Sequence, residues 1–378
     1  MRRSKLHAPT LRETPSEAEL ASHRLLLRGA FVRPLAAGVF SFLPLGLRVK
    51  RKVEGIIREE MNAIGAQEFD LPSLQPADVW RESGRWNAIG TEMLRLRDRS
   101  GREMCLGMTH EEVFATLARE LRSYRELPAT WYQIARKFRD EPRPKGGLVR
   151  LREFTMKDSY SFALDEEGLH QSFLAHEGAY RRIFERCGLD VVVAEASSGM
   201  MGGSGSKEFI ALTEAGEDWV AITPAGAAAN LDVATSLLDP VDDTGQPDAV
   251  REFATPGIHT IEELEHFGVP AARQAKTLVY SAQGELIVVM LRGDHQLSEA
   301  KLASVIGTDD VRPAGETETR ALMGAGFGSL GPVGLPAGTR ILADRALEGR
   351  RGLVSGANRD GYHVEGITPG RDFAARFA

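Results

Sequence analysis

Residues 131–158 read WYQIARKFRDEPRPKGGLVRLREFTMKD, and this stretch decides the fold. Runs of aromatic and β-branched residues at 131–139 and 148–156 flank the breaker-rich segment PRPKGG. Pro and Gly interrupt both helices and ladders, so the spacing predicts a strand, a long loop and a returning strand. Arg139 and Glu141 stand two apart and share one face of an extended chain. That face carries a guanidinium fork suited to phosphate and a carboxylate acceptor. Phe154 on the returning strand can stack on a purine, and Arg143, Lys145 and Arg150 can reach outer phosphates. A charged antiparallel hairpin with cross-strand ion pairs fits the same residues.

The surrounding charge supports a polyanion. Between 121 and 157 there are ten Lys/Arg and four Asp/Glu, although the whole chain has a net charge of −6. The acidic balance argues against a general nucleic-acid coat, while the basic segment suits a small polyanion. Between 229 and 273 the balance reverses, with nine acidic residues and two Arg.

Helical periodicity flanks the hairpin. Residues 47–64 place Val49, Val53, Ile56, Ile57, Met61 and Ile64 on one face, with Gly65 as a stop. Residues 111–123 form a second predicted helix, with Thr109 as its cap. A third is expected over 165–187, with Leu169, Phe173, Tyr180, Ile183 and Phe184 inward. A strand is expected next, at 191–196. Near residue 222 the composition turns small, then acidic and turn-rich, which marks a domain edge. Beyond it alternate the helix IEELEHFG, the strands KTLVYS and LIVVMLRG, the helix LSEAKLASVIG and the strand RILADRA, giving α/β material with hairpins.

Length and composition agree. The 378 residues predict two or three domains and a sizeable core. No apolar run approaches the roughly 20 residues that span a bilayer. The basic start MRRSKLHAPT lacks an apolar segment behind it, so no signal peptide is expected. The two cysteines, Cys105 and Cys187, form no CxxC or Cys/His cluster, which fits a reducing cytosol and predicts no metal site.

FRDE, LREF and MKDSYSF together resemble motif 2 of class II aminoacyl-tRNA synthetases, and specifically the bacterial-type prolyl-tRNA synthetase family. The segment at 34–80, PLAAGVFSFLPLGLRVKRKVEGIIREEMNAIGAQEFDLPSLQPADVW, is similar to the family's motif 1 region, which forms its dimer interface. ESGRW, LRDRSGRE and LGMTHEEV resemble the approach to the amino-acid pocket. SSGMMGGSGSKEF and AGEDW resemble the family's segment C-terminal to motif 2. The resemblance implies an α+β fold: a class II antiparallel sheet of six strands, incomplete at the motif 3 strands, flanked by helices over residues 1–222, and an inserted α/β editing domain of the prolyl-tRNA deacylase type over residues 223–378. It implies ATP-dependent activation of proline, with Mg²⁺, and transfer to the proline tRNA by a cytoplasmic homodimer. Thr109 and Glu111 would hold proline. Arg139, Glu141, Arg150 and Phe154 would hold ATP, with Arg139 at the α-phosphate.

The inserted domain would hydrolyse alanyl-tRNA mischarged on the proline tRNA. A pocket built for proline cannot exclude a smaller amino acid, so a second, size-limited site is the expected remedy. Lys276, the turn from Gly328 to Pro332, Asp344 and His363 match the functional positions of that domain. Lys276 would sit near the terminal adenosine, and His363 would orient the amino acid. Four positions depart from the family's usual residues: Met108, Lys145, Leu151 and Lys207. No motif 3 segment of GxGxxR type occurs in the 378 residues, so a chain shortened before motif 3 is expected. A standalone deacylase and a non-catalytic tRNA-binding paralogue are the alternatives.

Overall fold

The computed structural model describes residues 2–197 and 205–378, apart from 236, 239 and 309. Residues 198–204 of the SSGMMGGSGSKEF stretch therefore lie outside the described residues. The chain divides into two compact units: Met1–Val191 with Ala211–Gly216, and Val192–Ile210 with Glu217–Ala378.

The first unit is built on the predicted hairpin. Strands Ala129–Phe138 and Glu153–Phe162 pair antiparallel from Ala129↔Phe162 to Phe138↔Glu153. The returning strand starts later than the periodicity suggests, because 148–152 still belongs to the loop. A two-residue strand, Gln67–Glu68, adds in parallel beside Trp131 and Tyr132. A second sheet places Glu103–Leu106 between Leu74–Pro76 and Arg95–Arg97, all antiparallel. Among the described residues the strands over 1–222 thus lie in smaller sheets: these two, the antiparallel pair Val32–Ala36 and Val39–Phe42, and a four-stranded sheet that begins at Val192. Pro72 lies between Glu68 and Leu74 and has no N–H to continue a ladder, so the chain leaves one sheet before joining the other.

Two long helices, Pro44–Ala63 and Glu166–Arg186, pack against each other. Pro44 opens the first, where its missing N–H costs nothing. Asp165 caps the second, its carboxylate accepting from the Gly168 N–H at 2.8 Å. Glu60 joins the helices by accepting from Arg182 at 2.6 Å and Arg186 at 2.7 Å. These arginines hold its carboxyl below the usual range. Not every predicted inward residue is inside. Val49, Val53, Leu169 and Phe173 are exposed, whereas Met61, Ala179 and Ile183 are buried. Burial on the second helix is confined to Ala179 and Ile183, in its C-terminal half.

The second unit carries a five-stranded mixed sheet. Its order is Val311–Pro313, Ala275–Ala282, Glu285–Arg292, Arg340–Ala343, Arg376–Phe377. The central hairpin turns at Gln283 and Gly284, both in the left-handed region at φ 50° and 81°. Such a two-residue turn matches the twist of antiparallel strands. The run LIVVML has no polar alternation because both faces are covered. Val288 and Met290 join the core of Leu347, Leu353 and Ile367, while Ile287 and Val289 pack with Tyr280, Leu302 and Leu342. A three-stranded sheet sets Tyr362–Ile367 between Arg251–Ala254 and Leu353–Gly356. A four-stranded sheet contains Lys207–Ile210, Val192–Glu195, Ala228–Asn230 and Val220–Ile222.

Met290 is fully buried at the centre of this core. Met290→Ala should cost about 2–5 kcal/mol. Urea unfolding of the chain, followed by far-UV circular dichroism, should show a lower midpoint, and an unchanged midpoint would contradict the packing.

Candidate active sites

Strand register sorts the hairpin residues by face. Gln133 lies opposite Asp158, Lys137 opposite Phe154, and Trp131 opposite Tyr160, so these six share one side. Ile134, Lys157 and Thr155 point to the other. Arg139 sits over the Phe154 ring at 5.5 Å and so joins the first face. Its Nε is buried and has no protein partner. An unpaired buried guanidinium N–H is costly unless a ligand accepts from it.

The helix Glu111–Ala118 delivers Thr109 and Glu111 to the same face. His110 occupies its N-cap position, and the Thr109 hydroxyl donates to Glu111 at 2.8 Å, so Thr109 is not the cap the sequence suggested. The Thr109 hydroxyl also lies 3.3 Å from the Tyr160 hydroxyl, which donates to Asp158 at 2.8 Å. Gln133 donates to the same Asp158 oxygen at 3.1 Å. Gln75 accepts from Trp80 at 2.8 Å and donates to the Thr109 carbonyl at 3.2 Å. Arg85 bridges Glu111 at 3.1 Å and the buried Glu112 at 2.9 Å.

Beneath this surface lies a network that sequence reasoning missed. Lys137 is fully buried, 2.8 Å from the Asp158 carboxylate and 2.6 Å from His110 Nδ1. Burial pulls the Lys137 ammonium below its usual range, against the pull of Asp158. Burial and the Lys137 charge push His110 down to about 4. Lysine on a strand is ordinarily an edge or solvent residue, and Lys137 and Asp158 stand opposite Phe154 and Gln133 rather than each other, so nothing in the sequence signalled this pair. Met108 is buried in the cluster of Trp80, Trp86 and Cys105 just before Thr109, where an apolar side chain fits.

The loop residues gather at the open end of the hairpin. Glu141 accepts from the Arg143 N–H at 3.0 Å, and its carbonyl accepts from Arg152 at 3.0 Å. Lys145 and Arg150 form an isolated bridge across the loop. Arg139, Glu141, Arg150, Leu151 and Phe154 border a cavity of about 640 Å³. Ile134, Thr155, Lys157 and the helix residues Val49 and Val53 also line it. The cavity therefore takes lining from both sides of the hairpin end, Arg139 and Phe154 from one face and Ile134, Thr155 and Lys157 from the other.

In the second unit the predicted residues fall into two sets. Lys276 donates to the His295 carbonyl at 2.5 Å, and His295 Nδ1 lies 2.9 Å from the Asp344 carboxylate. Burial lowers the Lys276 ammonium, while Asp294 and Glu262 raise it. The other set surrounds His363, whose Nδ1 lies 2.6 Å from the Thr255 hydroxyl. Burial, then the nearby His259, lowers the His363 imidazolium. Gly328 has φ 91°, and a Cβ there would lie 2.6 Å from His259 Cα. A Cβ on Gly331 would meet the Gly356 carbonyl oxygen at 1.8 Å, so the turn packs backbone to backbone on the strand paired with His363. Pro332 ends that turn and is buried. His295 was not singled out from the sequence; its place directly after the strand Glu285–Arg292, in the turn GDH, was the available signal.

Comparisons with known proteins fall along the same division. Residues 255–373 match the family model of the aminoacyl-tRNA editing domain. A proline–tRNA ligase of Anaeromyxobacter sp. (strain K) is 53% identical over 100% of this chain and 66% of its own length. One from Acidobacterium capsulatum is 50% identical over 98% of this chain and 67% of its own length. One from Moorella thermoacetica is 50% identical over 99% and 65%. The chain thus spans about two thirds of the length of these relatives. Among solved structures, Giardia lamblia prolyl-tRNA synthetase in complex with prolyl-adenylate covers 44% of this chain and 35% of its own, at 18% identity and TM-score 0.41.

Lys137→Met would leave Asp158 buried without its cation. Such a loss costs about 3–5 kcal/mol. Urea unfolding followed by tryptophan fluorescence should show it, since Trp80, Trp86 and Trp131 all lie in the first unit. His110 adds a pH dependence. Its folded value lies below the unfolded value of about 6.5, so the unfolded state binds more protons between the two. Stability should be full above about pH 6.5 and fall by on the order of 1 kcal/mol per unit toward pH 4. His110→Asn should flatten that slope, and an unchanged slope would contradict the assignment.

Proposed function

Because the chain belongs to the proline–tRNA ligase family, we propose that its first unit activates proline with ATP and that its second unit hydrolyses mischarged alanyl-tRNA. The observation that carries the first part is the shared hairpin face. Register and the Arg139–Phe154 contact support an ATP end on that face, and the bonds of Thr109 to Glu111 and Tyr160 support a proline end on the same face.

On this reading the adenine stacks on Phe154 and hydrogen-bonds near Glu141. Arg139 holds the α-phosphate, and its unpaired Nε is the donor that awaits it. Arg150 at the loop takes the outer phosphates. Thr109 and Glu111 hold the secondary ammonium of proline. A proline carboxylate oxygen then attacks the α-phosphorus, the bond to the bridging oxygen breaks, and pyrophosphate leaves. Positioning and charge supply the rate, so no side-chain nucleophile is needed. The tRNA 3′-terminal hydroxyl takes the prolyl group. Among the described residues no group of three His, Cys, Asp or Glu fits a metal cage, so Mg²⁺ would arrive on the phosphates of ATP. Exposed Val49 and Val53 on the Pro44–Ala63 helix suit the homodimer contact expected of the motif 1 region. No helix among the described residues is long and apolar enough to cross a membrane, and a cytoplasmic enzyme fits that.

The editing part is supported by the family match over 255–373 and by the placement of Lys276, Asp344, Gly328, Pro332 and His363 within it. Its substrate is an activated ester, so hydrolysis needs no ATP. That leaves a deacylase acting alone as the second reading of this chain.

Arg139→Ala should abolish ATP binding and proline-dependent pyrophosphate exchange. Phe154→Ala should weaken ATP by about 1–3 kcal/mol, the range of base–aromatic stacking. Failure of the unaltered chain to bind ATP at millimolar concentration would leave the deacylase reading. For that reading the assay is release of labelled alanine from preformed alanyl-tRNA for proline, without ATP. Lys276→Ala should remove most of the release. Equal release from prolyl-tRNA would overturn the size limit.

A further inference from the structure

His295 stands in an arrangement that the proposed roles of Lys276 and Asp344 leave unused. Its Nδ1 lies 2.9 Å from Asp344 Oδ2, and the second Asp344 oxygen accepts from the Ala346 N–H at 2.8 Å. The carboxylate is therefore fixed from two sides. The main-chain carbonyl of His295 holds the Lys276 ammonium at 2.5 Å. The His295 backbone is tied in turn by its N–H to the Arg292 carbonyl at 2.9 Å. The imidazole is about a quarter exposed, so Asp344 lies on one side of the ring and solvent reaches it.

We propose that His295, oriented by Asp344, is the general base of ester hydrolysis in the second unit. A carboxylate at Nδ1 fixes the neutral tautomer with its proton on that nitrogen and leaves Nε2 as an acceptor. Lys276 is joined to the same residue through the backbone, so the base and the cation expected at the tRNA end move as one piece. The reaction balances without any added reagent. Nε2 takes a proton from water as the water oxygen bonds to the alanyl carbonyl carbon. The tetrahedral intermediate then breaks its bond to the ribose oxygen, and the imidazolium returns the proton to that leaving oxygen. Alanine and free tRNA result. This inference rests on the editing activity proposed above and assigns the group that performs it.

Charged groups face His295 from every side that packs on it. Asp344 faces it from the end of the strand Arg340–Ala343, and Lys276 from the strand Ala275–Ala282. Asp294, paired with Arg292 at 2.6 Å, is its neighbour in the turn. Two carboxylates thus oppose two cations around the imidazole. A general base must be unprotonated to take a proton, so deacylation should fall toward the acid side.

The test is deacylation of preformed alanyl-tRNA for proline by the full chain, without ATP, between pH 5 and 8, with the buffer rate subtracted. The unaltered chain should show the acid limb. H295Q should lower kcat/KM by about 100-fold or more and remove the limb, although His259 and His363 remain in the same unit. D344N should lower kcat while KM changes little, because it disturbs the tautomer without touching substrate. Thermal melts of both variants report whether they fold. No release above the buffer rate by the unaltered chain would overturn the editing reading itself. Release by the unaltered chain with no acid limb, or with the same limb and rate in H295Q, would overturn the role of His295 alone. If H295Q does not fold, D344N with an unchanged rate and limb decides against it equally.

Discussion

Lys137 and Asp158 bury an ion pair inside a β-hairpin, and the arrangement of the first unit depends on it. Two opposite charges removed from water are tolerable only when their remaining hydrogen-bonding capacity is met. His110, Gln133 and Tyr160 supply part of it, and each comes from a different local setting: a helix start and two opposed strands. Satisfying one pair therefore fixes the helix Glu111–Ala118 against the hairpin. Thr109 and Glu111 inherit their positions from that requirement, as does the orientation of Tyr160 between them. Burial raises the Tyr160 hydroxyl far above its ordinary range, so it stays a neutral donor.

The second unit solves positioning differently, with backbone rather than charge. The turn 328–332 approaches the strand Leu353–Gly356 so closely that no Cβ fits at Gly331 or Gly356. Asn358 locks the approach by accepting from the Gly331 N–H at 2.8 Å and donating to the Gly331 and Val333 carbonyls at 2.9 Å each. A main-chain contact of this kind has fixed spacing. Side chains can change rotamer, but this contact cannot.

Much of this was legible in the sequence, and the remainder was hidden for physical reasons. The hairpin was readable because Pro and Gly mark its loop and aromatic and β-branched residues mark its strands. The central hairpin of the second unit was readable from LIVVML and the short turn before it. The helix faces were read less well: Val49, Val53, Leu169 and Phe173 have helical spacing but end outside the core, since periodicity shows that a face is apolar and not what covers it. The sheet expected to be incomplete is divided into smaller ones, and between the two three-stranded ones Pro72 interrupts the ladder. Individual site residues such as Arg139 and Phe154 came from a recognisable motif, and their contact on one face was visible only in register. Lys137, His110 and His295 were missed because a buried charge or an oriented imidazole is defined by partners distant in sequence.

The bridge from Arg85 to Glu111 has a consequence for any cation that binds there. Glu111 already has a positive neighbour at 3.1 Å, and that neighbour keeps a second anion, the buried Glu112, at 2.9 Å. An ammonium arriving at Glu111 would therefore meet a carboxylate whose charge Arg85 already partly offsets. The net attraction left for it is reduced, so affinity at such a position would depend weakly on ionic strength and strongly on shape. Free cations of the surrounding solution compete poorly for it, whereas a rigid ring that fills the adjoining space has an advantage that charge alone would not confer.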